Sequence, residues 1–137
     1  MTLELQATPG EVMRAVDALR DFGESRQVPP KVLFGLTLAL EECASNIVNH
    51  GLLRDPEKTF RVSFGDRDGA ITIELRDPGP AFDPTLKPAG EPLAEDDEPP
   101  GGWGIFLVRR YTDQIDYVRE AGENVLRLAK RLDPPAA

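Results

Sequence analysis

Cysteine, histidine and tryptophan occur once each in this chain of 137 residues. A single cysteine, Cys43, excludes an internal disulfide framework and a cysteine-built zinc cluster. It falls on an apolar helical stripe, where a buried structural thiol is expected rather than a nucleophile. With His50 the only histidine, a Ser-His-Asp centre would have to recruit it. Positive charge is also in short supply. Sixteen Lys and Arg face 24 Asp and Glu, a net charge of -8 with a pI near 4.7. Nucleic acid and anionic membrane both call for a basic surface, so neither is expected as a partner. No stretch of about 18 apolar residues and no basic-then-apolar leader is present. The expectation is a soluble, cytoplasmic protein.

Apolar residues make up 40% of the chain, enough for a hydrophobic core. The length suits a single domain over 1–137. Leu3 to Ala7 alternates and reads as a strand. Thr8-Pro9-Gly10-Glu11 opens a helix, with Thr8 as cap, and Val12, Ala15, Val16 and Leu19 keep helical spacing to about Gly23. A second helix is expected from Pro30 to His50, closed by Gly51. Phe60–Phe64 and Ala70–Leu75 are strands joined by a Gly65–Gly69 connection. Trp103 to Thr112 is a short helix. Ile115–Arg119 and Asn124–Lys130 are strands around Glu120–Glu123. Between Asp77 and Gly102 the chain is rich in Pro, Gly, Asp and Glu and has no periodicity. So long an insert is expected to be a lid, about 83–102, mobile without ligand, or disordered. The order of elements favours an α/β (α+β) two-layer sandwich, with a mixed, mostly antiparallel sheet and helices on one face.

The second helix carries the first chemical signal. At about 100° per residue, Leu36, Leu40, Cys43 and Ile47 form a core stripe. Glu42, Asn46 and Asn49 form another stripe roughly 110° away, at the edge of the core, while Glu41 points elsewhere. Half-buried polar groups need partners. Those partners are either neighbouring loops or a ligand, with an amide oxygen on a cation and a carboxylate taking a proton. Asp77-Pro78-Gly79 then follows a strand. Asp77 there can accept from an exocyclic amino group and Gly79 lets backbone approach a flat ring, although Asp-Pro-Gly is also a common turn. Gly101-Gly102-Trp103-Gly104 opens a helix whose bare N–H groups suit an anion. It is neither a Walker loop nor a Rossmann fingerprint.

Taken in order, Glu-x-x-x-Asn on a helix, strand–Asp-x-Gly, a loose loop and Gly-x-Gly on a helix resemble the ATP-binding fold of the GHKL superfamily, the Bergerat fold. LALEECASNIVNHG, RDPGPAFDP and GGWGIFLVRRYTDQIDYVREAGENVLRLAKRL are most similar to the anti-sigma-factor serine/threonine kinases of bacterial partner-switching systems. The resemblance spans the chain apart from its tail. It implies ATP or ADP and Mg²⁺ as ligands, with Asn46 holding the metal and Glu42 as general base. Asn49 and His50 would line the phosphate side. Asp77 would read the adenine amino group with Gly79 beneath the ring, and Gly102 and Gly104 would bind phosphates and anchor the lid.

The implied activity is ATP-dependent phosphorylation of a STAS-type anti-anti-sigma protein, alongside binding of a sigma factor or analogous target. A homodimer is compatible with this. The alternative is a nucleotide-gated partner-binding module with little kinase activity. The acidic stretch Leu93–Pro100 favours it, since Lys87 is the only basic residue between Arg76 and Arg109. A histidine-kinase ATPase domain is a weaker alternative, because His50 sits inside the nucleotide motif and no separate phosphoacceptor helix is evident.

Overall fold

The computed structural model describes residues 1–86 and 101–132, with 101–104 by backbone alone. The elements follow the chain as β1 (Thr2–Gln6), α1 (Pro9–Ser25), α2 (Pro30–Asn46), β2 (Thr59–Arg67), β3 (Ala70–Asp77), α3 (Gly101–Tyr111), β4 (Gln114–Glu120) and β5 (Glu123–Arg131). Most of the segment expected to act as a lid lies outside the described residues.

Five strands form one sheet in the order β1-β2-β3-β5-β4. All four pairings are antiparallel, so the sheet is not mixed. Period-two patterning sets its faces. On β3, Ile71, Ile73, Leu75 and Asp77 are buried and the residues between them are half-exposed. The buried set meets α1 through Val12, Val16 and Leu19 and α2 through Leu36 and Leu40 in one core. The other sheet face is a lattice of charges. Glu74 accepts from Arg76 at 2.7 Å and from Arg127 at 2.8 Å, and Arg61 pairs with Glu123 at 2.9 Å. Burial pushes the Glu74 carboxyl up, but the two guanidiniums outweigh it and hold it below the usual range.

Both hairpins are tighter than expected. Strand β2 runs on through Gly65 to Arg67, and the turn is only Asp68–Gly69, with φ of 53° and 76°. Ala121–Gly122 repeats this between β4 and β5, at 52° and 77°. Two positive φ values in a two-residue loop match the right-handed strand twist, and Asp-Gly is well suited to it. Thr8 holds the extended backbone of a cap but makes no side-chain cap bond; the nearby Glu11 carboxylate accepts from the Gln6 N–H at 3.3 Å.

Helix α2 ends sooner than the sequence pattern suggests. After Asn46 the chain widens into a π turn over Ile47–Gly51, closed by Leu52 N–H to Ile47 O at 2.7 Å. Leu53 and Arg54 follow in the left-handed region, at φ 54° and 55°. Single π turns are common at functional sites, and this one carries Asn49 and His50 and follows directly on Asn46.

Candidate nucleotide site

Asp77 closes β3 and stands directly across the ladder from Asn124, the second residue of β5. Both are buried, at 5% and 7% exposure. Buried polar groups of this kind have to be hydrogen-bonded. Asp77 Oδ1 accepts from the Gly79 N–H at 2.9 Å and from Asn124 Nδ2 at 3.2 Å. Asp77 Oδ2 has no protein partner among the described residues, yet no buried side-chain oxygen there is left unsatisfied and sealed. That oxygen therefore opens to the cavity that Asp77 lines. Burial pushes the Asp77 carboxyl above the usual range, while Asn124, Gly79 and Arg119 pull it part of the way back.

Gly79 is required here for close approach. A Cβ on it would stand 2.8 Å from Asp77 Oδ1 and 3.2 Å from the Gly51 carbonyl. The loop after β3 is thus pressed between the carboxylate and the end of the π turn. Its path is held by Asn124, whose Nδ2 reaches Pro80 O at 2.9 Å and whose Oδ1 accepts from the Phe82 N–H at 3.1 Å. Arg119 donates to Gly79 O at 2.7 Å.

The cavity measures about 410 Å³. This is within the range of small-molecule sites, which are mostly apolar with a few placed polar groups. Asn46, His50 and Gly51 form one wall. Ile105, Val108 and Leu126 supply apolar surface, and Pro80 to Phe82 form a rim. The Asn46 carboxamide is half-buried, with no protein partner among the described residues. Cys43 also lines the cavity, but burial, aided by Glu42, pushes its thiol up to about 12, so it stays neutral and inert.

The structure brings Asn46, His50 and Asp77 to one cavity, with Gly79 packed against Asp77. Asn49 is not among the lining residues; its Oδ1 accepts from Arg54 Nε at 2.7 Å. The widened turn takes it off the stripe it would share with Asn46 on a regular helix. Glu42 is half-buried one turn before Asn46 and also does not line the cavity. Burial and the neighbouring Glu41 push its carboxyl up, and His50 opposes them. Gly102 and Gly104 lie in the first turn of α3.

Three site residues, Asn124, Tyr117 and Arg119, escape a reading of the sequence. Asparagine is a poor strand former, so Asn124 just after a hairpin turn was the available signal. Its meaning depends on a register that pairs it with Asp77.

A sequence profile described as the histidine kinase-like ATPase domain matches residues 5–130. The chain belongs to this ATPase family. A serine/threonine-protein kinase, BtrW of Bordetella bronchiseptica, is 30% identical over 135 residues, covering 97% of this chain and 94% of the relative. In three dimensions the fold is similar to a crystal structure of the RsbU and RsbW domains of Rv1364c from Mycobacterium tuberculosis. The TM-score is 0.65 at 18% identity, over 99% of this chain and 34% of that one. The shared architecture is the GHKL-type sandwich that the motif order implied. Among the described residues of this ATPase-family member, no helix is long and apolar enough to cross a membrane.

Proposed function

We propose that the protein is an ATP-dependent serine/threonine protein kinase of a cytoplasmic partner-switching system. It phosphorylates a STAS-type anti-anti-sigma partner and also binds a sigma factor or analogous target. The observation that carries the reading is the buried Asp77 carboxylate, with one oxygen fully engaged by the protein and the other open to a heterocycle-sized cavity. The open oxygen accepts from the exocyclic amino group of adenine. Ile105, Val108 and Leu126 offer apolar surface to the ring. Kinship with a named serine/threonine kinase along nearly the whole chain supports the choice of acceptor chemistry.

The donor set fits a metal carried in with the nucleotide rather than a resident one. No group of three or more His, Cys, Asp or Glu could hold a metal among the described residues. Asn46 offers one neutral oxygen on the cavity wall, so phosphate oxygens and water would have to complete an octahedron. Bound there, Mg²⁺ would neutralise charge on the phosphates. Glu42 takes the proton from the acceptor hydroxyl as that oxygen bonds to the γ-phosphorus, and ADP departs with the bond to the β-phosphate broken. A carboxyl raised by burial is better suited to this than an ordinary one.

Transfer of labelled phosphate to a STAS protein encoded near this chain is the test. Glu42→Gln keeps the size of the side chain but cannot take the proton, so transfer should fall by about 10²–10⁴-fold with ATP affinity little changed. Undiminished transfer would remove the base assignment. One observation favours a second reading, a nucleotide-gated binding module: Glu42 stands back from the cavity lining. No transfer by the unmodified protein, with nucleotide-dependent partner binding intact, would select that reading.

A further inference from the structure

We propose that Asn124 is the positioning residue that keeps Asp77 an acceptor toward the base, with the Phe82 N–H fixing the orientation of its amide and Tyr117 holding the amide in place. The inference rests on the adenine reading of the cavity and goes beyond it, assigning base selectivity to a cross-strand relay.

The orientation of the amide is over-determined. Its Oδ1 faces two donors, the Phe82 backbone N–H at 3.1 Å and the Tyr117 hydroxyl at 2.6 Å. Its Nδ2 faces only acceptors: Asp77 Oδ1 at 3.2 Å, Pro80 O at 2.9 Å and Gly79 O at 3.4 Å. A flipped amide would set its NH₂ against the Phe82 N–H, and its oxygen against a carboxylate and two carbonyls. The Phe82 N–H cannot turn round and so fixes the amide, while the Tyr117 hydroxyl, able to donate or accept, adds a contact that holds the group in place. The amide therefore always presents a donor to Asp77.

The consequence for Asp77 follows from counting lone pairs and protons. Oδ1 receives two N–H donors, which favours the ionised carboxylate and leaves Oδ2 as an acceptor at the cavity. An acceptor fixed at that place welcomes an amino group and repels an exocyclic carbonyl oxygen. A site built around a buried hydrogen bond rejects the analogue that cannot make it. The relay runs from Tyr117 on β4 through Asn124 on β5 to Asp77 on β3, across three adjacent strands.

Asn124→Asp preserves shape and the acceptor for Phe82 but removes the donor to Asp77. Two carboxyls this close cannot both ionise, so they share a proton. The pair then holds one proton: between the two carboxyls it lowers the charge on Asp77 Oδ2, and when it resides on Oδ2 that oxygen donates to the cavity. The experiment measures affinity for ATP and for inosine triphosphate, whose base carries an oxygen in place of the adenine amino group. The unmodified protein, Asn124→Asp and Tyr117→Phe are compared, each with its melting temperature. The expected result is a preference for ATP in the unmodified protein that shrinks by about tenfold or more in Asn124→Asp. Tyr117→Phe, which removes only a hydroxyl, should shrink it by a smaller factor at a near-native melting temperature. Equal weakening of both nucleotides in both variants would leave Asn124 and Tyr117 as structural residues and overturn the inference. Equal affinity of the unmodified protein for the two nucleotides would overturn it while leaving nucleotide binding intact. No binding of either by the unmodified protein would overturn the adenine reading and the inference with it.

Discussion

Asp77 combines two opposed demands, burial and the need to stay ionised. Burial raises its carboxyl above the unfolded value, so the folded chain takes up a proton there more readily. By linkage, ionised Asp77 opposes folding: the cost is absent at low pH and grows as pH rises through the unfolded value toward the folded one. Binding of an amino group runs the other way, because it needs the ionised form. ATP affinity should therefore decline as pH falls, beginning above the pH where an ordinary aspartate titrates. Asp77→Asn should weaken ATP by about 1–3 kcal/mol, since an amide mispairs with the base, and should flatten this pH profile. Calorimetric titration across a pH series reads both effects; a mutant that binds normally would place base recognition elsewhere. Asp77, Gly79 and Asn46 are legible in the sequence because each belongs to a local motif whose chemistry is contained in a few neighbouring residues. Asn124 and Tyr117 are not, because their roles arise only when β5 lies between β3 and β4.

At the scale of elements, the sequence pattern anticipates the order of strands and helices, and errs at their ends. Alternating burial stops at Phe64, as expected, but the ladder carries β2 on to Arg67 because Gly65 fits opposite Thr72. The π turn after Asn46 leaves no mark in the pattern, since an i→i+5 bond uses the same residues an α-helix would. Yet that turn sets which side chains reach the cavity: His50 does and Asn49 does not. The Gly51 carbonyl at its end is also what limits the residue at position 79. Gly79→Ala must push its methyl into Asp77 Oδ1 or the Gly51 carbonyl, and backbone yields less readily than a flexible side chain. The variant should lose about 1–3 kcal/mol of stability, the usual cost of overpacking, together with nucleotide affinity. Chemical denaturation gives the first quantity and titration the second. A stable variant with full affinity would mean that the loop moves aside freely.

At the scale of the molecule, the three α-helices and five strands among the described residues make two layers, and the cavity opens where the end of α2, the loop after β3 and α3 meet over one end of the sheet. The core holds the layers together without help from the nucleotide. Leu36, Leu40, Val62 and Leu5 are wholly buried in the one core between the helices and the sheet. A ligand seated in the cavity nevertheless touches both layers, so its binding free energy adds to the stability of the folded chain alone. At 100 times its dissociation constant a ligand adds about 2.7 kcal/mol. ATP with Mg²⁺ should accordingly raise the melting temperature. Chelation with EDTA should remove much of that increase, because Asn46 holds a metal only together with phosphate oxygens. Asp77→Asn should reduce the increase at a fixed ATP concentration without abolishing it, as the apolar walls and the phosphate contacts remain. Asn46→Ala separates the two contributions: its melting temperature with ATP should no longer respond to EDTA, while its response to ATP without metal should match that of the unmodified protein. If EDTA shifts both proteins equally, Asn46 is not a metal ligand. If EDTA shifts neither, the nucleotide binds without metal.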